Sequence, residues 1–337
     1  MMALNIEDIK NTAEIDIVLP WVDGDDRQHI KRRKYFSTDH KETSREDVGG
    51  DSRYQSLGEI RYCVESINLF APFVRKIFIV TDGQDPDLEG FLSERFPDGH
   101  IPIEIVDHKV IFKGYEMYLP VFNSRAIESM IWRIPDLSEH FILMNDDFIL
   151  TGKVVPEDFF KDGKTVCYCH RRPIIWALIQ RLFRPKKNGY KRISFKESML
   201  NAARIMDRKF TYFYLSHTPR ALKRSFFEDF FSKREDVMRR NISYRFRNAD
   251  QYNSQELFYI SEDRAGRCLT VNPDKKLMYL MPKKRKGYVD RKLKKMERKK
   301  DAVFCCINTL SLARPEEQAK VLDWIAGRLN QKRLKSE

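Results

Sequence analysis

The chain has no apolar run near the roughly 18–20 residues that a membrane-crossing helix takes. Its first fourteen residues, MMALNIEDIKNTAE, hold no continuous apolar core ahead of a cleavage site, so no secretory leader is expected. Cytoplasmic residence, with peripheral contact at the inner face of the cell membrane, is the expectation. Cysteine is sparse: Cys63, Cys167, Cys169, Cys268, Cys305 and Cys306 form no paired CxxC arrangement. That argues against a structural zinc and for buried, reduced thiols. There is no internal repeat, and no nucleic-acid-binding motif accompanies the basic runs, so nucleic acid is not expected as a partner. What is present, 42% apolar and 12% aromatic residues among 337, excludes wholesale disorder and suffices for a large core in one elaborated domain or two.

The net charge of +13 conceals an asymmetry. Residues 1–150 carry 17 Lys and Arg against 28 Asp and Glu, whereas residues 151–337 carry 45 against 21. An acidic half facing a basic half points to a second half that handles phosphate or an anionic surface. The densest run, Lys283–Lys300, has eleven cations in eighteen residues. It reads as a contact for anionic membrane lipid or an acidic growing polymer. A nucleic-acid-binding module is the weaker alternative.

Ile15–Leu19 is a β-branched run that empties into Trp21-Val22-Asp23-Gly24-Asp25-Asp26, an acidic, glycine-containing turn. That turn either holds a nucleotide, with Trp21 as a stacking face and carboxylates on the ribose, or is an ordinary solvated turn. Residues 25–52 are charge-dense and read as an exposed helix and a loop. Within 53–70, Ile60, Cys63, Val64 and Ile67 trace an amphipathic helix, and Lys76–Val80 and Ile103–Val106 read as the next strands. Strands separated by helical patterns predict an α/β fold. Its core is a mainly parallel twisted sheet flanked by helices, Rossmann-like or GT-A-like, with a basic helical second half. On this reading residues 1–150 form the half in which a nucleotide can sit. Residues 151–337 complete the site and return a strand, Ala302–Ile307, to the core. Helices are expected near Phe195–Met206, over Ala221–Phe231 and Asn253–Ser261, and at the end over 315–330.

The stretch Phe122–Leu150 carries the clearest chemistry. Helical spacing over Asn123–Arg133 is stopped by Pro135-Asp136, then the apolar run Phe141–Met144 ends at Asn145-Asp146-Asp147. Two adjacent carboxylates at a strand end are costly unless solvated, paired or bound to a cation. Open α/β sheets bind ligands at this rim, and such oxygens suit Mg²⁺ or Mn²⁺ escorting a phosphate. The plain alternative is that the pair caps the next segment.

Several segments together resemble one family. IDIVLPWVDGDD, GEIRYCVESINLFAPFVRKIFIVTDGQ and FNSRAIESMIWRIPDLSEHFILMNDD resemble, in order and spacing, the Stealth family of bacterial hexose-1-phosphoryl transferases of capsule synthesis. Relatives of that family include the animal enzyme that tags lysosomal glycoproteins with N-acetylglucosamine-1-phosphate. HTPRALKRSFFEDFF with FRNADQYNSQELF, and FCCINTL, resemble its later blocks, so the likeness covers roughly residues 14–310. The resemblance implies a reaction in which a UDP-sugar donates sugar-1-phosphate to a hydroxyl of a saccharide or lipid-linked glycan, releasing UMP. It places Asp23 near the nucleotide with Trp21 and Gly24. Glu59 and Arg61 fall in the second block, Arg61 facing a phosphate or a structural carboxylate. Asn123, Ser124 and Glu128 match the third block, where Asn123 and Ser124 are equally good helix caps. Asp146 and Asp147 become the Mg²⁺ or Mn²⁺ ligands. His217 and Arg247 become catalytic with Asp146, and Asp250 either ligates metal or orients Arg247. Ser56-Leu57 and Asn308-Thr309 depart from the family pattern, which has acidic residues there. A metal-dependent glycosyltransferase releasing UDP is the rival reading.

Overall fold

A computed structural model describes residues 14–37, 48–50, 54–182, 193–282 and 287–333. Its centre is a five-stranded sheet in the order β3-β2-β1-β4-β9. The strands are β1 (Ile15–Pro20), β2 (Val74–Thr81), β3 (Ile103–Asp107), β4 (His140–Leu143) and β9 (Arg220–Lys223). The first four are parallel, and β9 closes the β4 edge antiparallel. The expected mainly parallel α/β core is therefore present.

Strand β1 shows why this sheet lies in the middle. Ile15, Ile17 and Leu19 enter one hydrophobic cluster and Val18 the other, so both faces are buried and the run is apolar at every position but one. Its one charge, Asp16, is fully buried and is held by Arg75 Nε at 2.9 Å and the Ser138 backbone N–H at 2.7 Å.

Two smaller sheets come mostly from the later chain. In one, β7 (Lys164–Pro173) pairs with β6 (Phe160–Lys161), β8 (Thr211–Leu215) and β10 (Cys268–Val271). In the other, β12 (Phe304–Ile307) lies between β11 (Leu277–Leu280) and β5 (Phe148–Leu150). The helices of the first half are α1 (Arg27–Tyr35), α2 (Glu59–Phe70), α3 (Glu89–Arg95), α4 (His108–Ile111) and α5 (Ser124–Glu128). Next come α6 (Ile174–Leu182), α7 (Phe195–Ile205), α8 (Arg224–Lys233) and α9 (Glu235–Ile242). The last are α10 (Ser254–Arg264), α11 (Tyr288–Glu297) and α12 (Pro315–Arg333). Both hydrophobic clusters draw residues from before and after residue 150.

Two expectations need correction. Residues 220–223 are the edge strand β9, not the start of a helix, because β4 offers them a ladder: Arg220 pairs with Leu143 and Lys223 with His140. The helix over Asn123–Arg133 breaks after Glu128 into a turn and a 3₁₀ segment, Ile131–Arg133. Ser129 Oγ donates to the Arg125 carbonyl at 2.9 Å and accepts from Asn241 Nδ2 at 2.7 Å, which ties the break to α9. The loop expected after α1 falls largely on residues 38–47 and 51–53, outside the described residues. So do the basic stretch at 184–192 and the first four residues of Lys283–Lys300, whose remainder forms α11. All six cysteines are unpaired.

Candidate active site

The strand order reverses between β1 and β4, and a doubly wound sheet opens a crevice at the carboxyl ends of two such strands. Val18 pairs with Leu143 there, so Trp21 and Asp146 each follow three residues beyond a shared rung. The turn after β1 is held by one side chain from the end of β2. Gln84 Oε1 accepts from the Asp23 N–H at 2.9 Å, and Gln84 Nε2 donates to the Asp23 carbonyl and to Asp26 Oδ2, both at 3.0 Å. Asp23 Oδ1 accepts from the Asp25 N–H. Trp21 donates its backbone N–H to Val80, while its indole Nε1 is buried with no partner among the described residues.

Past β4, Asp146 and Asp147 lie close enough to Glu59 to feel its charge. Loss of water around Asp146, then the charges of Asp147 and Glu59, push its carboxyl up to about 8; burial pushes Asp147 up to about 6. Glu59 opens α2 after Gly58, whose φ of +82° sets the entry, and its Oε2 accepts from Ser56 Oγ at 2.8 Å. The return of β12 beside β5 brings the partners of Asp147. Asp147 Oδ2 accepts from Cys306 Sγ at 3.5 Å and, at a long 3.4 Å, from Asn308 Nδ2. Burial and the Asp147 charge keep the Cys306 thiol protonated, well above its usual range. Asp147 Oδ1 is buried without a partner among the described residues.

Across the neighbouring rung, Tyr279 pairs with Cys306, and its ring stacks on His217 at 4.9 Å between centroids. Burial and the nearby Arg220 guanidinium lower the His217 imidazole to about 4, leaving it neutral at neutral pH. Arg220 is buried opposite Leu143, so the histidine turn is fastened to the strand that delivers Asp146.

The third-block residues form a second group. Asn123 caps α5 through Oδ1 to the Ala126 N–H at 3.1 Å, accepts from Gln251 Nε2, and donates to the Tyr244 carbonyl. Glu128 accepts from Gln255 Nε2 at 2.8 Å. Arg247 donates to Ser124 Oγ at 3.0 Å, and Asp250 is exposed with its N–H on Asn248 Oδ1. Tyr54 ties this group to the β1 turn: its hydroxyl donates to the Phe122 carbonyl at 2.7 Å, and its backbone lies against Gly24. Phe122 in turn stacks on Phe246 at 5.2 Å, beside Arg247.

Of the residues expected here, the structure brings Asp146, Asp147 and Glu59 together and joins His217 through Tyr279. It gathers Asn123, Ser124, Glu128, Arg247 and Asp250 around α5 and the 244–255 segment. Arg61 points elsewhere, lying 5.8 Å over the ring of Phe91. Cys306, Tyr279, Arg220 and Gln84 were not anticipated. Arg220 and Cys306 lie inside segments already singled out, whereas Tyr279 had no local signal.

Among the described residues no three His, Cys, Asp or Glu side chains form a ready metal cage. The donor set nevertheless fits a hard cation that takes one or two protein carboxylates and fills its shell with phosphate oxygens and water. The unpartnered Asp147 Oδ1 is the oxygen such an ion would satisfy.

Comparison with known proteins agrees in location with these elements. Residues 14–41 match the model of Stealth protein conserved region 1, and residues 53–167 match that of conserved region 2. The exopolysaccharide phosphotransferase SCO2594 of Streptomyces coelicolor is 32% identical over 313 residues, 90% of this chain and 48% of its own length. The chain thus spans about half of that relative. The receptor polysaccharide phosphotransferase WefC of Streptococcus oralis is 32% identical over 281 residues, 77% of this chain and 81% of its own. Among solved structures, the bifunctional glycosyltransferase WbbM superposes with a TM-score of 0.45 at 9% identity, over 98% of this chain and 53% of that one.

Proposed function

This chain belongs to the Stealth family, and on that premise we propose that it is a polysaccharide phosphotransferase. It moves sugar-1-phosphate from a UDP-sugar to a hydroxyl of a saccharide or lipid-linked glycan, in capsule or exopolysaccharide synthesis. The observation that carries the reading is the carboxylate pair at the switch point, with Asp147 Oδ1 unpartnered and a neutral His217 one aromatic ring away. Phosphoryl transfer asks for charge neutralisation and alignment more than for covalent chemistry by the protein, and this cluster of side chains suits both.

Asp146 and Asp147 would hold Mg²⁺ or Mn²⁺, with Glu59 adding to the negative field. Bound there, the ion would neutralise the diphosphate and polarise its oxygens. Trp21 offers the base a ring face, and Asp23 and Gly24 line the ribose side. Arg247, steadied by Ser124, presents a planar fork to phosphate oxygens. His217 accepts the proton of the attacking hydroxyl; an approaching phosphate raises its basicity toward working pH. The acceptor oxygen forms its bond to the β-phosphorus, the bond from that phosphorus to the bridging oxygen breaks, and UMP departs. The exposed cations of α11 suit an acidic acceptor.

The test is to incubate the protein with a UDP-sugar panel, Mg²⁺ and acceptor, and to identify the nucleotide released. UMP, with a phosphodiester in the product by phosphorus NMR, is the expected result. UDP would replace this reading with glycosyl transfer at the anomeric carbon.

A further inference from the structure

Helix α6 presents an apolar face that no described residue covers. Ile175, Trp176 and Leu178 are 58, 61 and 38% exposed, while Ala177 alone of this turn is buried. The tip of the loop before β8 adds Phe210 at 83%, and the two elements are joined by the Ile174 N–H donating to the Phe210 carbonyl at 2.9 Å. A helix that is apolar over most of its circumference is ordinarily buried or membrane-associated, and this one is neither buried nor long enough to cross a bilayer.

We propose that the α6–Phe210 surface is a membrane-docking site that lies in the headgroup region of an anionic bilayer. Three observations favour lipid over a protein partner. The side chains exposed are those that settle at an interface, a Trp and a Phe beside branched aliphatics. The patch offers on the order of 500 Å² of apolar surface, short of the roughly 800 Å² that a stable protein interface takes from each side. Its described surroundings are cationic: Arg172 and Lys209 are exposed beside it.

The placement also fits the site. Strand β8 leads from Thr211, beside the patch, to Leu215, and His217 follows, so roughly 20 Å of extended chain separates the docked surface from the histidine. The docking surface goes beyond the reaction proposed above and shares no residue with it, so either can fail alone.

The experiment is sedimentation of the full chain with phosphatidylcholine vesicles, with and without phosphatidylglycerol. The wild type is expected to partition onto the anionic vesicles, and Trp176→Ser with Phe210→Ser to weaken partitioning at least about tenfold. The unfolding midpoint and nucleotide release with a soluble acceptor should be unchanged, since both side chains are exposed. Lys209→Glu, which leaves the apolar face intact, should weaken partitioning more at low salt than at high salt. The proposal is overturned by a wild type that stays in the supernatant or by a double variant that binds as the wild type does. A wild-type dimer that the double variant converts to monomer in sedimentation velocity would equally overturn it, because a second copy would then cover the patch.

Discussion

Gly24 is the position where the path from sequence to site can be tested most sharply. Its φ is unremarkable, so space alone forbids a side chain. A Cβ there would lie 2.0 Å from the Tyr54 carbonyl oxygen and 2.3 Å from its carbon. Both are backbone atoms with no rotamer to change. Relief to an ordinary contact near 3.4 Å moves the Tyr54 backbone by about 1.4 Å. Tyr54 cannot shift alone, because its hydroxyl holds the Phe122 carbonyl and its ring carries the Arg33 guanidinium at 4.1 Å. The displacement therefore reaches Ser124 and Arg247. Gly24→Ala should cost about 1–3 kcal/mol in denaturant unfolding, the usual range for overpacking. It should also lower kcat/KM about 10²-fold, as ångström-scale misplacement of a binding group does. Gly327→Ala in α12 is the control, since its Cβ meets nothing within 4 Å; it should raise stability by about 0.5–1 kcal/mol and leave turnover alone. A Gly24→Ala protein with wild-type stability and turnover would refute the argument that Tyr54 couples the β1 turn to the α5 group.

Asp146→Ala should lower turnover by about 10³-fold or more while circular dichroism stays native, because the substitution removes a half-buried carboxylate repelled by Asp147 and Glu59. Tyr279→Leu should reduce kcat by about 10- to 100-fold and displace the acidic limb of the pH–rate profile, whereas Tyr279→Phe, which keeps the ring on His217, should stay within a few-fold of wild type. His108 is 4% exposed, neither ring nitrogen has a hydrogen-bond partner among the described residues, and burial lowers it from 6.5 to about 4 despite the opposing charge of Asp107. Its neutral form stabilises the fold fully above pH 6.5, and that contribution is lost as pH falls toward and through 4. The stability of wild type relative to His108→Leu should thus fall by about 2 kcal/mol between about pH 7.5 and about pH 5 in denaturant titrations. A pH-independent difference would mean that this ring is not buried neutral.

Strands β1 and β2 were legible because they are buried on both faces, so Ile15–Leu19 and Lys76–Val80 announce themselves as short apolar runs rich in β-branched residues. Residues 221–223 misled because a strand of four residues at a sheet edge has no period of its own; pairing with His140–Leu143 outweighs the helical pattern that resumes at Arg224. The same division holds in the site. Asp146 and Asp147 stand out locally, since paired carboxylates after an apolar run are costly wherever they occur. Their partners Cys306 and Asn308 lie 159 and 161 residues away from Asp147 and arrive only through the β12–β5 ladder. Tyr279 comes one strand further out and carries no chemistry until it stacks on His217. Asn123 was ambiguous between cap and ligand, and the structure spends its amide on Ala126, Gln251 and Tyr244. Asn123 thus holds the start of the helix in which Ser124 meets Arg247.

The most direct test follows the phosphorus itself. A UDP-sugar labelled with ³²P at the β-position alone, incubated with the protein, Mg²⁺ and acceptor, should deliver its label into the glycan and leave the released nucleotide cold. Label recovered in the nucleotide, with an unlabelled glycan product, would contradict sugar-1-phosphate transfer at this site.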